Sequence, residues 1–181
     1  MNAIRTFALL LVLACPALAD VESGPKPGEK VTELKIFAAT GTNEGKDVDI
    51  AMLRKDEPTI YLFVNAEKFS RPMAKFLRAI DAKVSDDSDK AVAVAIWVGG
   101  DIDKMKAYLP TAQQSLKFVK TDLAVYTENK TGPNGWGLNN DAHLTAVIVH
   151  GGKVVKSFAF VSVDDGDAKA VLEALKAAVK K

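Results

Sequence analysis

Cysteine is nearly absent: the only one in the 181-residue chain is Cys15, and only two histidines accompany it. A lone cysteine excludes an internal disulfide framework and a cysteine-based zinc site. Charge of one sign is also lacking. Twenty-four basic residues face 23 acidic ones, for a net charge of +1, which excludes the basic footprint of a protein that grips many phosphates, so nucleic acid is not an expected partner. Aromatics are sparse at 7%. The apolar run from Phe7 to Cys15 falls well short of the ~20 residues a membrane-spanning helix needs.

That run follows Arg5 and precedes Pro16 and the small-residue end Ala17-Leu18-Ala19, the pattern of a secretory signal peptide over residues 1–19. Cleavage after Ala19 leaves a chain from Asp20 to Lys181 with no cysteine and no transmembrane segment, periplasmic or secreted, in which thiolate chemistry has no nucleophile. A lipoprotein signal ending at Cys15 is the alternative, disfavoured by bulky Leu13 and by Pro16.

Residues 20–30 combine charge with Gly24, Pro25, Pro27 and Gly28 and read as a flexible lead-in to one domain over 31–181. Leu34–Phe37 and Val48–Ile50 suggest a hairpin. Thr59–Val64 and Ala91–Val98 read as strands buried on both faces. Met73, Leu77, Ile80 and Val84 place an apolar stripe on a helix that Ser70 would N-cap. A second helix starts at Asp101, and Pro110 is expected to end or bend it. Leu116–Val119 suggests a short strand, Leu123–Glu128 a short helix, and 131–141 a loop pinned by Trp136. Thr145–Val149, Gly151-Gly152 and Lys153–Val161 form a hairpin pattern, and 168–180 a terminal amphipathic helix.

The order of these elements is that of an α/β protein with a central mixed sheet flanked by helices and an N-terminal β-hairpin extension. With Lys26-Pro-Gly-Glu-Lys-Val-Thr-Glu-Leu at the start, Gly45-Lys-Asp-Val-Asp-Ile-Ala-Met-Leu in the hairpin and the Pro58–Val64 strand, the chain resembles the thioredoxin-like superfamily, in its redoxin branch of peroxiredoxins and thiol-disulfide oxidoreductases. In that family a Cys-x-x-Cys pair opens the helix after the first central strand. The matching segment is Ser70-Arg71-Pro72-Met73, with Ser70 and Met73 at the thiol positions. A cis-proline precedes the family's third central strand, and His143-Leu144-Thr145 carries Leu144 there. A trans bond is expected before Leu144, since cis without proline costs ~3 kcal/mol. With Gly132–Asn140, the chain also resembles uncharacterised exported bacterial redoxin-like proteins that lack the active-site cysteines.

The resemblance implies a degenerate cleft lined by Asn65, Ser70, Arg71, Pro72, Trp136, His143, Leu144 and Thr145. No catalytic residue, metal or cofactor is assigned. Arg71, at a helix start where a cation opposes the dipole, is a candidate clamp for a small anion. The expected function is a non-redox binding or structural module whose partner is a protein or a small anionic ligand. The alternative is a thiol-independent, hydrolase-like enzyme using Ser70 and His143. Asn129-Lys130-Thr131 matches a glycosylation acceptor, a short pattern of little weight.

Overall fold

The structure is a computed structural model and describes residues 21–164 and 166–180. The expected signal peptide, its cleavage site and Cys15 lie outside the described residues. A seven-stranded sheet runs in the order β2-β1-β5-β4-β3-β6-β7. Its strands are β1 (Lys35–Ala38), β2 (Asp47–Asp49), β3 (Thr59–Asn65), β4 (Val92–Val98), β5 (Thr121–Val125), β6 (Leu144–His150) and β7 (Lys153–Phe160). The helices are α1 (Ile50–Leu53), α2 (Arg71–Asp81), α3 (Ile102–Leu116) and α4 (Asp167–Val179). The expected hairpin forms, with Ile36 opposite Val48.

At the centre, β3 lies between parallel β4 and antiparallel β6. Nearly every residue of these strands is buried, which is why they read as unbroken β-branched and aromatic runs. Successive side chains point to opposite faces. Ile60, Leu62 and Val64 join Met73, Leu77, Leu109 and Leu175 beneath the three long helices. Tyr61 and Phe63 join Leu34, Ile50 and Trp136 on the other face, which α1 and irregular chain cover. The two links α2 and α3 follow β3→β4→β5 in one direction across the sheet. Right-handed crossovers therefore put both on one side.

Two local expectations are overturned, and one of the two outcomes expected at Pro110 is excluded. Leu123–Val125 is not helical: β5 pairs in parallel with β4 and antiparallel with β1, so sheet pairing on both sides overrides a short, helix-compatible sequence. Leu116–Val119 is not a strand. Leu116 ends α3, Lys117 takes the left-handed conformation (φ 56°), and the buried Asp81 carboxylate accepts the N–H groups of Val119 and Lys120. Pro110 does not end α3, which continues through it to Leu116.

The stretch expected to be a flexible lead-in is instead strapped to the body over its described part, residues 21–30. Gly24 N–H donates to Gly137 O at 3.0 Å, Ser157 Oγ to Pro25 O at 2.6 Å, and Gly28 N–H to Val154 O at 2.8 Å. The Ser157 hydroxyl satisfies the Pro25 carbonyl, while Pro25 and Pro27 bring no backbone donors of their own.

Candidate functional site

In sheets with parallel strands, ligands favour the crevice beyond the strands' carboxyl ends. Here β3 and β4 end level, Asn65 beside Val98. Past Asn65 the chain turns through Ala66–Lys68, with Asn65 Oδ1 accepting the Glu67 N–H at 3.1 Å. Past Val98 it turns through Gly99 and Gly100, at φ 78° and 74°. A Cβ on Gly100 would lie 3.1 Å from Ala66 Cβ, so glycine lets the two turns close on each other.

The third wall is the loop between β5 and β6. Asn129 Oδ1 accepts from the Thr131 N–H at 3.0 Å and its hydroxyl at 2.9 Å, and Asn139 Oδ1 accepts from the Asp141 N–H at 2.9 Å. Together these walls enclose a cleft of about 350 Å³ floored by Phe63, Val98 and Thr145, with Lys68, Lys130 and Glu67 on its lining. The Thr145 hydroxyl is buried and lies 2.6 Å from Ser23 Oγ, which also accepts the Asn139 N–H at 3.0 Å.

Of the residues expected in one cleft, Asn65 and Thr145 line it. The others lie elsewhere. Trp136 is in the core, 1% exposed, its ring edge-on to Tyr61 and Phe63 at 5.3 and 5.1 Å and its Nε1 donating to Glu33 O. Leu144 is fully buried under the helices. Its peptide bond is trans, as expected: no described peptide bond is cis. Arg71 and Pro72 are exposed at the start of α2 and outside the cleft lining.

Of the two residues expected at thiol positions, Met73 is a core residue, 2% exposed, on the buried face of α2. Ser70 takes the N-cap backbone conformation (φ −142°, ψ 165°), but its side chain makes no cap hydrogen bond, contrary to expectation. His143 is anchored by its main chain, donating to Phe160 O at 2.8 Å and accepting from Asn65 N–H at 3.0 Å. It lines no part of the cleft. The His150 ring Nδ1 lies 3.0 Å from Ala178 O at the far end of β6.

Sequence reasoning missed Gly99, Gly100, Thr131, Asn139, Asn140, Lys68 and Lys130. The glycines directly follow the strand expected over Ala91–Val98, and the asparagines fall in the loop expected over 131–141. What placed them together was the topology, which brings three distant turns to one end of the sheet.

No family model matches the sequence, and no curated protein is found similar to it. Solved structures are similar. The peroxidoxin BcpB of Mycobacterium tuberculosis superposes with a TM-score of 0.60 at 16% identity, covering 84% of this chain and 97% of that one. A peroxiredoxin-like protein from Aquifex aeolicus gives 0.56 at 12% identity, with 86% and 91% coverage. The pneumococcal exposed lipoprotein thioredoxin from Streptococcus pneumoniae gives 0.54 at 16% identity, with 81% and 99% coverage. The chain is an α/β protein with a mixed sheet. Its fold is thioredoxin-like, the fold it shares with these three structures.

Proposed function

We propose that this protein is an exported, non-redox binding domain that takes a small anionic ligand in the cleft at the ends of β3 and β4. The observation that carries the reading is the pairing of a missing thiol with a formed cleft. After Cys15 the sequence has no cysteine, and the thiol positions hold a core methionine and a serine. The cleft meanwhile offers the side-chain amides of Asn65 and Asn140 beside Lys68 and Lys130, with Glu67 the one acidic residue on its lining.

Neither Lys68 nor Lys130 takes part in an ion pair among the described residues. A carboxylate or phosphate would give both a partner, with hydrogen bonds to charged groups being the stronger kind. Arg71, the clamp expected at first, is less suited because it stands outside the cleft lining.

A thermal-shift screen of small carboxylates and phosphates tests this. The expected result is a rise in melting temperature that Lys130→Ala diminishes and Arg71→Ala leaves intact. Dependence on Arg71 instead would move the site to the start of α2, and no rise with any anion would remove the ligand class. Export is tested by the intact mass of the protein from its native host. A mass matching Asp20–Lys181 supports processing after Ala19, whereas one retaining Cys15, lipidated or not, returns a thiol or a membrane anchor to the protein.

A further inference from the structure

The cleft at the ends of β3 and β4 carries charge on its turns and apolar side chains at its base, and that division narrows what it can hold. Phe63 and Val98 floor it, Ala142 adjoins them on the lining, and all three are buried. Leu138 belongs to a loop rich in glycine and asparagine, yet it is half-buried and packs against the core cluster that holds Phe63 and Val98. Apolar surface at the base of a cavity gains by meeting apolar atoms in place of water.

Most polar side chains around this base already have partners. The Thr145 hydroxyl is 3% exposed and lies 2.6 Å from Ser23 Oγ of the N-terminal strap, residues 21–30. The Thr131 hydroxyl donates to Asn129 Oδ1, and Asn139 uses both ends of its amide, Oδ1 accepting the Asp141 N–H and Nδ2 donating to Glu22 O at 3.4 Å. Asn65 Oδ1 is taken by the Glu67 N–H. A ligand with a polar body, such as a sugar, would bring hydroxyls to a base that has few groups left to pair with them, and unpaired buried polar groups are costly.

Charge and size set the other limits. Lys68 lies in the turn after β3 and Lys130 in the loop between β5 and β6; neither they nor Glu67 join an ion pair among the described residues. Two lysines against one glutamate leave the lining a single net positive charge. A monoanion balances it, whereas a dianion exceeds it and carries the larger desolvation cost. The cleft's volume of about 350 Å³ stands at the small end of the roughly 300–1,000 Å³ of ligand pockets, too little for a long lipid chain. Granting the reading that this cleft takes an anion, we infer that its ligand is a monocarboxylate with a compact apolar body, a short alkyl chain or a single aromatic ring. The body rests on Phe63, Val98 and Leu138, and Lys68 and Lys130 hold the carboxylate.

The test is a titration of the isotope-labelled protein, followed by its amide shifts, with acetate, butyrate, hexanoate and phenylpropionate, with sulfate as the dianion and hexanol as the uncharged control. Affinity should rise along the alkyl series by up to roughly fourfold per methylene, as expected when each is buried in an apolar site, with shifts at Asn65, Gly99 and Thr131. Hexanol should bind more weakly than hexanoate. Lys130→Ala should weaken every carboxylate by a similar factor, roughly twofold to fivefold, and leave the gain per methylene unchanged, which separates the head from the body. A flat alkyl series, or sulfate binding as tightly as hexanoate, would overturn the apolar monocarboxylate and leave the anion reading of the cleft standing. Hexanol matching hexanoate, no binding by any of these anions, or shifts confined to residues outside the cleft would overturn both.

Discussion

Ser70 is the residue expected at the first thiol position, and its hydroxyl makes no cap hydrogen bond at the start of α2. An N-cap serine usually contributes ~1 kcal/mol through a side-chain hydrogen bond to the first turn. Ser70 makes no such bond, while Asp49 and Asp101 at the starts of α1 and α3 both do. Ser70→Ala should therefore change stability in urea unfolding by less than about 0.5 kcal/mol, whereas a loss near 2 kcal/mol would reveal a role the geometry lacks. Asp122 behaves oppositely. Its carboxylate lies where a Cβ on Gly41 would be, and burial raises its pKa above the ordinary 3.8 despite the lowering effect of Arg54. Below the unfolded value both states are protonated and no penalty exists; as pH rises through the raised folded value, folding carries the cost of burying the charge. Asp122→Asn should accordingly raise the melting temperature at neutral pH and lose that gain on acidification towards 3.8, as scans across a pH series would show.

At the scale of elements, α3 carries the clearest tension between sequence and structure. Pro110 lies inside the helix, where it removes a backbone donor and crowds the preceding turn, at ~3 kcal/mol in a regular helix. The helix persists because Met105, Leu109 and Ala112 are buried against the sheet. Packing there outweighs propensity. Pro110→Ala should restore the missing bond, partly offset by a more flexible unfolded chain, and stabilise the protein by about 1–2 kcal/mol in urea titrations. The same override explains what was legible. The central strands announce themselves because burial on both faces demands unbroken apolar runs, and α2 because one face does. By contrast β5 is short and contains Leu123 and Ala124, residues compatible with either state. Its identity comes from β1 and β4 on its two sides. Within the cleft, Asn65 and Thr145 could be read because they sit at strand ends fixed by the fold, whereas Lys68, Lys130 and Asn139 belong to turns with no periodicity to betray where they meet.

At the scale of the whole molecule, a chain from Asp20 onward has no cysteine with which to cross-link itself. Its thermal unfolding should be identical with and without a thiol reductant, and a difference measured on purified protein would place Cys15 in the mature chain. Packing and hydrogen bonds must then hold every peripheral segment, and the strap shows how. Ser23 is 8% exposed and its hydroxyl joins Thr145 on β6 to the Asn139 N–H on the cleft wall. Removing that oxygen strands two partners, and a buried group left without its hydrogen bond costs about 1–3 kcal/mol. Ser23→Ala should therefore destabilise by that amount, with Ser23→Thr recovering part of it if the added methyl is accommodated. The pattern matters more than the size. Gly24 ties the strap closely to β7, since at φ 95° a Cβ would come within 2.8 Å of Ser157 Cβ, so no larger residue fits this seating unchanged. Hydrogen exchange should accelerate at the Gly24, Asn139 and Asp141 amides while β3 and β4 keep their protection. Uniform acceleration would mean that the strap unfolds with the core, and that the cleft wall has no local freedom for a ligand to use.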